Sequence, residues 1–375
     1  MTTEGGGRPA DTPLAAKLKD RIRRNGPISV ADYMSACLDD PEYGYYRRQP
    51  AIGAAGDFVT APEISQTFGE LIGLWCAVVW QQMGSPAALN LVELGPGRGT
   101  LMRDALRAIR IVPGFREALT VHLIDSNATL REVQRETLAD CGVPVQFHGD
   151  VQDVLPRTSL IPPHPTIAIA NEFLDTLPIE QYEFSGSAWR RRLVGLADGD
   201  QLGFETDSKP SAPPLSLALV PREGDNLEIC GTHRAIADTL LKARAEVAPL
   251  AALFIDYGHA ATGLGDTLQG VADQKHVSPF HRPGETDLSA QVDFQSFTEA
   301  CQAAELTVDG LLPQGELLGR LGIIERASRL MAANPAKAGA IEAGVARLLA
   351  PNGMGSRFLA LGVRSANVAP LPGFA

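Results

Sequence analysis

The 375-residue chain is 45% hydrophobic and 21% charged, enough apolar content for one large α/β domain with additions or for two domains. Its formal net charge of −11 disfavours a nucleic-acid partner, which needs clustered Lys and Arg, and suits a cationic substrate. The chain has no run of about eighteen apolar residues that would span a membrane, and its five cysteines form no C-x-x-C pair, which points to reduced thiols in a cytoplasmic setting and to no metal site.

Residues 1–9 lack an apolar signal core and read as a disordered leader. Asp11–Arg24 and Ser29–Leu38 read as two short amphipathic helices, separated by Asn25, Gly26 and Pro27 and with Ser29 as N-cap. The segment GDFVTAPEIS, residues 56–65, has the composition of a lid over a ligand, although a capped helix start explains Pro62 and Glu63 equally well. It leads into an apolar helix at about Ile64–Met83 with a stripe of Phe68, Leu71, Ile72, Trp75, Val78 and Val79. Strands are expected at Leu89–Gly95, Leu119–Asp125, Val143–His148, Thr166–Asn171 and Ala251–Asp256. The first four alternate with helices at about Thr100–Ile109 and Ala128–Ala139, which implies a parallel sheet with right-handed crossovers. About eighty residues separate the last two strands, far more than a normal crossover. They hold alternating segments at Ile179–Phe184, Trp189–Gly195, Leu202–Thr206 and Asn226–Cys230, a small antiparallel excursion, and then a helix at His233–Val247. Gly258–Ala290 reads as a polar loop. Helices at Asp293–Glu305, Pro313–Leu330 and Ala336–Leu349 and strands at Leu306–Gly310 and Ser356–Val363 close the chain. The expected organisation is a leader, helices and lid over 1–88 packing on a core of 89–171 and 251–375, with a substrate-side insertion at 172–250.

The stretch LNLVELGPGRGTLMR, residues 89–103, carries the chemistry: an apolar strand breaks into a glycine turn that opens a helix. Glycine allows the sharp turn and close approach to a ligand, and the helix start aims free N–H groups at the same place. Asp125 ends the next strand, where a ribose diol would lie. The spacing G-x-G-x-G differs from the dinucleotide fingerprint G-x-G-x-x-G. Glu93, two positions before Gly95, is a poor neighbour for a pyrophosphate and a good one for a cation.

With Glu93, Gly95, Gly97, Gly99 and Asp125 in register, the chain resembles class I S-adenosylmethionine-dependent methyltransferases. Further segments sharpen the resemblance: GDFVTAPEIS at 56–65, ANEFLDTLP at 170–178, DYGH at 256–259, GETDLS at 284–289, Val292-Asp293-Phe294, Gln314-Gly315 and Met354-Gly355. Together they resemble the family of mitochondrial complex I assembly methyltransferases and its bacterial members. The resemblance implies an α/β, Rossmann-like fold, with a mostly parallel twisted sheet, an antiparallel last strand, N-terminal helices and a small antiparallel insertion. It also implies S-adenosylmethionine as cofactor. The implied partner is a protein acceptor, such as a subunit of respiratory NADH:ubiquinone oxidoreductase methylated on arginine; a homodimer is compatible with this reading. One departure is Asp125-Ser126, where the family pattern has Glu before x-Ser.

Carried over residue by residue, Glu93, Gly95, Gly97 and Gly99 would hold the methionine and ribose portion, Asp125 the ribose hydroxyls, with Ser126 nearby and Asp150 toward the adenine. Asn171 and the lid residues Asp57 and Thr60 join the cofactor set, and Glu63 is a further lid acid. Glu172 is the first candidate to grip an acceptor guanidinium, with Asp175 and Asp256 as helpers and His259 as a proton acceptor. Asp175 as a helix-start cap and His259 as a structural hydrogen-bonder are the plainer readings. A nicotinamide-dependent oxidoreductase, an assembly module without catalysis, and a methyltransferase of a small molecule or RNA stay open as alternatives.

Overall fold

Two apolar runs without alternation, Leu89–Leu94 and Thr166–Asn171, require a sheet covered on both faces, and a computed structural model buries every residue of both. The structure describes residues 11–47, 59–149, 164–197, 200–213, 220–243 and 248–374. In chain order the strands are β1 (Ile28–Ser29), β2 (Leu89–Leu94), β3 (Leu119–Ile124), β4 (Val145–His148), β5 (Thr166–Asn171) and β6 (Glu180–Ser185). They continue as β7 (Ala188–Ala197), β8 (Gln201–Pro210), β9 (Asn226–Ile229), β10 (Leu250–His259) and β11 (Gln269–Ala272). The last five are β12 (Lys275–Val277), β13 (Asp287–Ser289), β14 (Val292–Asp293), β15 (Thr307–Pro313) and β16 (Phe358–Arg364).

The chain divides into two units. One takes in Ile52–Leu177, Cys230–Gly263 and Ala290–Ala375. Its sheet has the order β15-β16-β10-β5-β2-β3-β4, with β14 beside the end of β10. Only β16 runs against its neighbours, pairing antiparallel with β10 and β15, while β10, β5, β2, β3 and β4 are mutually parallel. The expected α/β fold with a reversed last strand is therefore present. Helices Gln66–Gln82 and Thr100–Ala108 cover one face through Phe68, Ile72, Leu101 and Ala105. Helices Thr232–Ala243 and Phe294–Ala303 cover the other through Ile236, Leu240 and Phe297. The strand order reverses between β2 and β5, so the crevice at their carboxyl ends is the place where such sheets bind ligands.

One expected helix is present with a separate short helix ahead of it, and another is broken. Extended backbone at Ser65 separates Ala61–Ile64 from Gln66–Gln82, and the Ser65 hydroxyl accepts from the Thr67 N–H to start the longer one. Gly322, at φ +87°, splits the segment expected at Pro313–Leu330 into Gln314–Arg320 and Ile323–Ala333, because a left-handed residue cannot continue a right-handed helix.

The other unit takes in Met1–Ala51, Pro178–Ile229 and Leu264–Ser289. Its antiparallel sheet β1-β7-β6-β9, with β8 on β7, contains the expected excursion. The N-terminal helices Pro13–Asn25 and Val30–Asp39 belong to this unit, a grouping that differs from the one expected with the core. The reason is β1, whose two residues, Ile28 and Ser29, pair with Val194 and Leu193 of β7; a two-residue strand has no readable period. The segment expected as a polar loop holds the sheet β12-β11-β13, built from strands of three and four residues too short to alternate visibly. No described helix is long and apolar enough to cross a membrane.

Candidate functional site

The end of β2 forms the floor of the site. Gly95, Gly97 and Gly99 take φ of +63°, +53° and +79°, a left-handed backbone that a Cβ disfavours. At Gly95 the restriction is also spatial, since a Cβ there would stand 2.8 Å from the Phe173 ring. Gly99 then opens the helix Thr100–Ala108. Glu93, the penultimate residue of the strand before this loop, is buried, and its Oε2 has no hydrogen-bond partner. Burial first, and the nearby Asp125 charge second, push its carboxyl up to about 8.

The wall opposite comes from β5. Asn171 is the last residue of that strand, and the ladder continues through the Glu172 N–H, which donates to Ile255 O at 2.9 Å. Glu172 sits at φ +52°, a strained backbone for a residue with a side chain. Its Oε1 accepts from the Ala61 N–H at 2.8 Å and from Asn171 Nδ2 at 3.1 Å. Its Oε2 is buried with no partner, and burial, with Asp256 close by, raises the carboxyl to about 7. The third side is the short helix Ala61–Ile64, where Glu63 Oε1 accepts from Thr100 Oγ1 at 2.5 Å and the Thr60 carbonyl accepts from the Glu63 N–H at 3.0 Å.

These elements enclose a cleft lined by Thr60, Glu63, Glu93, Gly95, Gly97, Asn171 and Glu172. Asp125, half-buried at the end of β3, stands beside it: Oδ1 accepts from the Asn127 N–H at 2.8 Å and Oδ2 from Gln134 Nε2 at 2.9 Å. Ser126 follows it, exposed. Asp57 and Asp150 lie outside the described residues.

The expected helpers are placed differently. Asp256 is buried and faces backbone, not the cleft: its Oδ2 accepts from the N–H groups of Phe173, Leu174 and Asp175 at 3.0, 2.7 and 3.3 Å, and Oδ1 from the Tyr257 N–H at 2.8 Å. Burial raises its carboxyl to about 7 while these donors pull the other way. Asp175 lies inside the single turn Leu174–Thr176 rather than capping it, and its carbonyl accepts from the Ala290 N–H at 2.9 Å. His259 is off the cleft lining, its Nδ1 2.8 Å from the Ala261 carbonyl. Sequence reasoning passed over Gln134, which is wholly buried and whose Nε2 also reaches the Gly97 carbonyl at 2.8 Å. A signal was available, since Gln134 falls between Leu130 and Leu138 on the apolar face of its helix, where a buried amide needs partners.

One cleft thus presents two buried carboxylates, each with an open oxygen. Unpaired buried anions are costly, and the partner that removes the cost is a cation or a strong hydrogen-bond donor.

A family profile described as "Putative S-adenosyl-L-methionine-dependent methyltransferase" matches residues 71–312. The chain is similar to the protein arginine methyltransferase NDUFAF7, mitochondrial, of Danio rerio, 33% identical over 365 residues that cover 91% of this chain and 84% of that protein. The protein of the same name from Mus musculus is 34% identical, over 94% of this chain and 85% of its own length. The fold is similar to that of a crystal structure from Burkholderia thailandensis bound to S-adenosyl-homocysteine, with a TM-score of 0.82 and 25% identity over 98% of this chain and 97% of that one.

Proposed function

The chain belongs to this family of S-adenosyl-L-methionine-dependent methyltransferases, and we propose that the group it methylates is an arginine side chain of a protein. The cofactor supplies a methyl group carried on a sulfonium. The residues present fit it: the orphaned Glu93 Oε2 suits an ammonium or a hydroxyl donor, and the glycine turn leaves backbone where side chains would intrude. Glu93, Gly95, Gly97 and Gly99 would hold the methionine and ribose portion and Asp125 the ribose hydroxyls, with Ser126 nearby; Thr60 and Asn171 line the same cleft.

The observation that carries the acceptor class is Glu172 Oε2. An arginine guanidinium stays charged at neutral pH, its pKa above about 12. Glu172 offers it a desolvated oxygen whose partner oxygen is already fixed by Ala61 and Asn171. Gripped along one edge, the guanidinium has its attacking nitrogen oriented, and positioning is most of what an in-line displacement asks of a protein. Glu172 Oε2 then takes the proton that this nitrogen loses. Asp256 is a positioning residue here: by gathering the N–H groups of residues 173–175 it fixes the turn from which Glu172 projects. The names of the relatives support the same acceptor class.

The test is transfer of labelled methyl groups from S-adenosylmethionine to an arginine-bearing protein, with the product located by mass spectrometry. Label on lysine, on a carboxylate or on a metabolite alone would overturn the arginine reading. We further propose a subunit of respiratory NADH:ubiquinone oxidoreductase as the acceptor, supported by the family resemblance of the sequence. Arginine methylation of that complex that persists in cells lacking this protein would remove that acceptor. A cytoplasmic setting is likewise our proposal, supported by the free state of the five cysteines; the relatives' names place them in mitochondria.

A further inference from the structure

Gln134 projects from the helix Ala128–Thr137 and is wholly buried. Its Nε2 spends both of its protons on the ligand side of the sheet, donating to the Gly97 carbonyl at 2.8 Å and to Asp125 Oδ2 at 2.9 Å. Rotated by 180°, the amide would set its oxygen against two acceptors, so the network itself fixes the orientation. The remaining Oε1 has no partner, a cost the fold accepts in order to keep the two donated bonds. The backbone is close as well: a Cβ on Gly99 would stand 3.7 Å from Gln134 Cα, so the glycine loop and this helix are in contact.

The same helix holds Asp125 from a second point. Arg131, one turn before Gln134, donates to the Asp125 carbonyl at 2.6 Å, and the Asn127 N–H donates to Oδ1 at 2.8 Å. Each oxygen of the Asp125 carboxylate therefore accepts a hydrogen bond, and the donor on Oδ2 is the group that also ties down the glycine loop. The β2–β3 ladder holds the two strand ends in register as far as Leu94 and Ile124, with the Gly95 N–H donating to Ile124 O at 3.0 Å; beyond it, the Gln134 side chain bonds to both Gly97 and Asp125.

We infer that Gln134 is a positioning residue that ties the Asp125 carboxylate to the glycine turn beyond the end of the strand ladder, and thereby sets selectivity for the ribose hydroxyls of the cofactor. The inference rests on the proposed reading of Asp125 as the ribose ligand. Without the bridge, Asp125 Oδ2 loses the donor that ties it to the glycine turn, so ribose contacts lose preorganisation while contacts made elsewhere persist.

The test is calorimetric titration of the full-length protein with S-adenosylhomocysteine and with its 2′-deoxy and 3′-deoxy analogues. Wild type is expected to bind the parent at least about tenfold more tightly than one of the deoxy analogues, the worth of a hydrogen bond to a charged group. Gln134→Met keeps length and bulk without a donor. It should weaken the parent about tenfold and leave that deoxy analogue within about twofold, so that discrimination collapses. Equal weakening of parent and analogue would assign Gln134 a merely structural role and overturn the inference. Absence of discrimination in wild type would instead overturn the reading of Asp125 on which it rests. Should Gln134→Met melt below the assay temperature, Gln134→Asn retains the amide but is too short to span both acceptors. The same loss of discrimination is expected from it, and discrimination equal to wild type would overturn the inference.

Discussion

Of the acids that line the cleft, Glu93 and Glu172 keep one carboxylate oxygen buried and unanswered. For Glu93 the folded carboxyl lies at about 8, against about 4.3 for an unfolded chain. A raised carboxyl favours the folded state while protonated, so its contribution is present below the unfolded value and is lost as pH rises through 8. Glu93→Gln should therefore gain on wild type between pH 5 and 8.5 in the ligand-free protein, with the difference in Tm widening by about 2 °C or more in calorimetry. Affinity of that variant for S-adenosylhomocysteine should fall about tenfold or more. A Tm difference that stays flat with pH would mean that Glu93 carries no such cost. Glu172, raised to about 7, is expected to act as its anion, so kcat/KM should fall as pH drops below 7. Glu172→Gln should keep cofactor affinity within about twofold and lose about a hundredfold or more in turnover. Retained turnover would reassign the acid. Both residues were legible in the sequence as acids at strand ends, because a strand end in a parallel sheet faces the crevice whatever its neighbours. Gln134 was not used, because its partners come from two other strand ends and only folding brings them within reach.

The turn at Leu174–Thr176 shows how an element can govern a side chain it does not contain. The N–H groups of Leu174 and Asp175, with that of Phe173 before them, converge on Asp256, which was expected to end its strand beside the cleft but lies within a strand that runs on to His259. An amide cannot accept equally from all of them, so Asp256→Asn should destabilise the protein by about 1–3 kcal/mol in denaturant titration. It should also lower kcat more than it changes the dissociation constant for S-adenosylhomocysteine. An unchanged kcat in a variant that has lost stability would confine Asp256 to the fold. Helix boundaries were the less legible part of this scale. Gly322 interrupts a segment expected as one helix, and the interruption is a matter of a single backbone angle that periodicity does not report.

At the scale of the whole molecule, the cleft proposed for the cofactor lies within one unit, built from β2, β5 and the segment from Thr60 to Ile64. Ligand that binds only the folded state stabilises by mass action, about 2.7 kcal/mol at a hundred times the dissociation constant. S-adenosylhomocysteine at that level should raise the melting transition of this unit, and in Glu93→Gln the same concentration should raise it markedly less. Equal shifts in the two proteins would place the cofactor's cation elsewhere.

From the amino-acid order alone came the parallel sheet, its glycine turn, the acids at three strand ends and the family they resemble. These are local properties: apolar runs, residues without a Cβ, and carboxylates at fixed distances along the chain. Tertiary structure decided which of those acids keep an open oxygen and which are consumed by backbone, as Asp256 is. It also decided that the first two helices join the antiparallel unit through β1, and that Gln134 bridges Gly97 to Asp125. Each of these depends on groups far apart in sequence meeting at about 3 Å, and the strength of a buried charge or hydrogen bond is set by whatever arrives there.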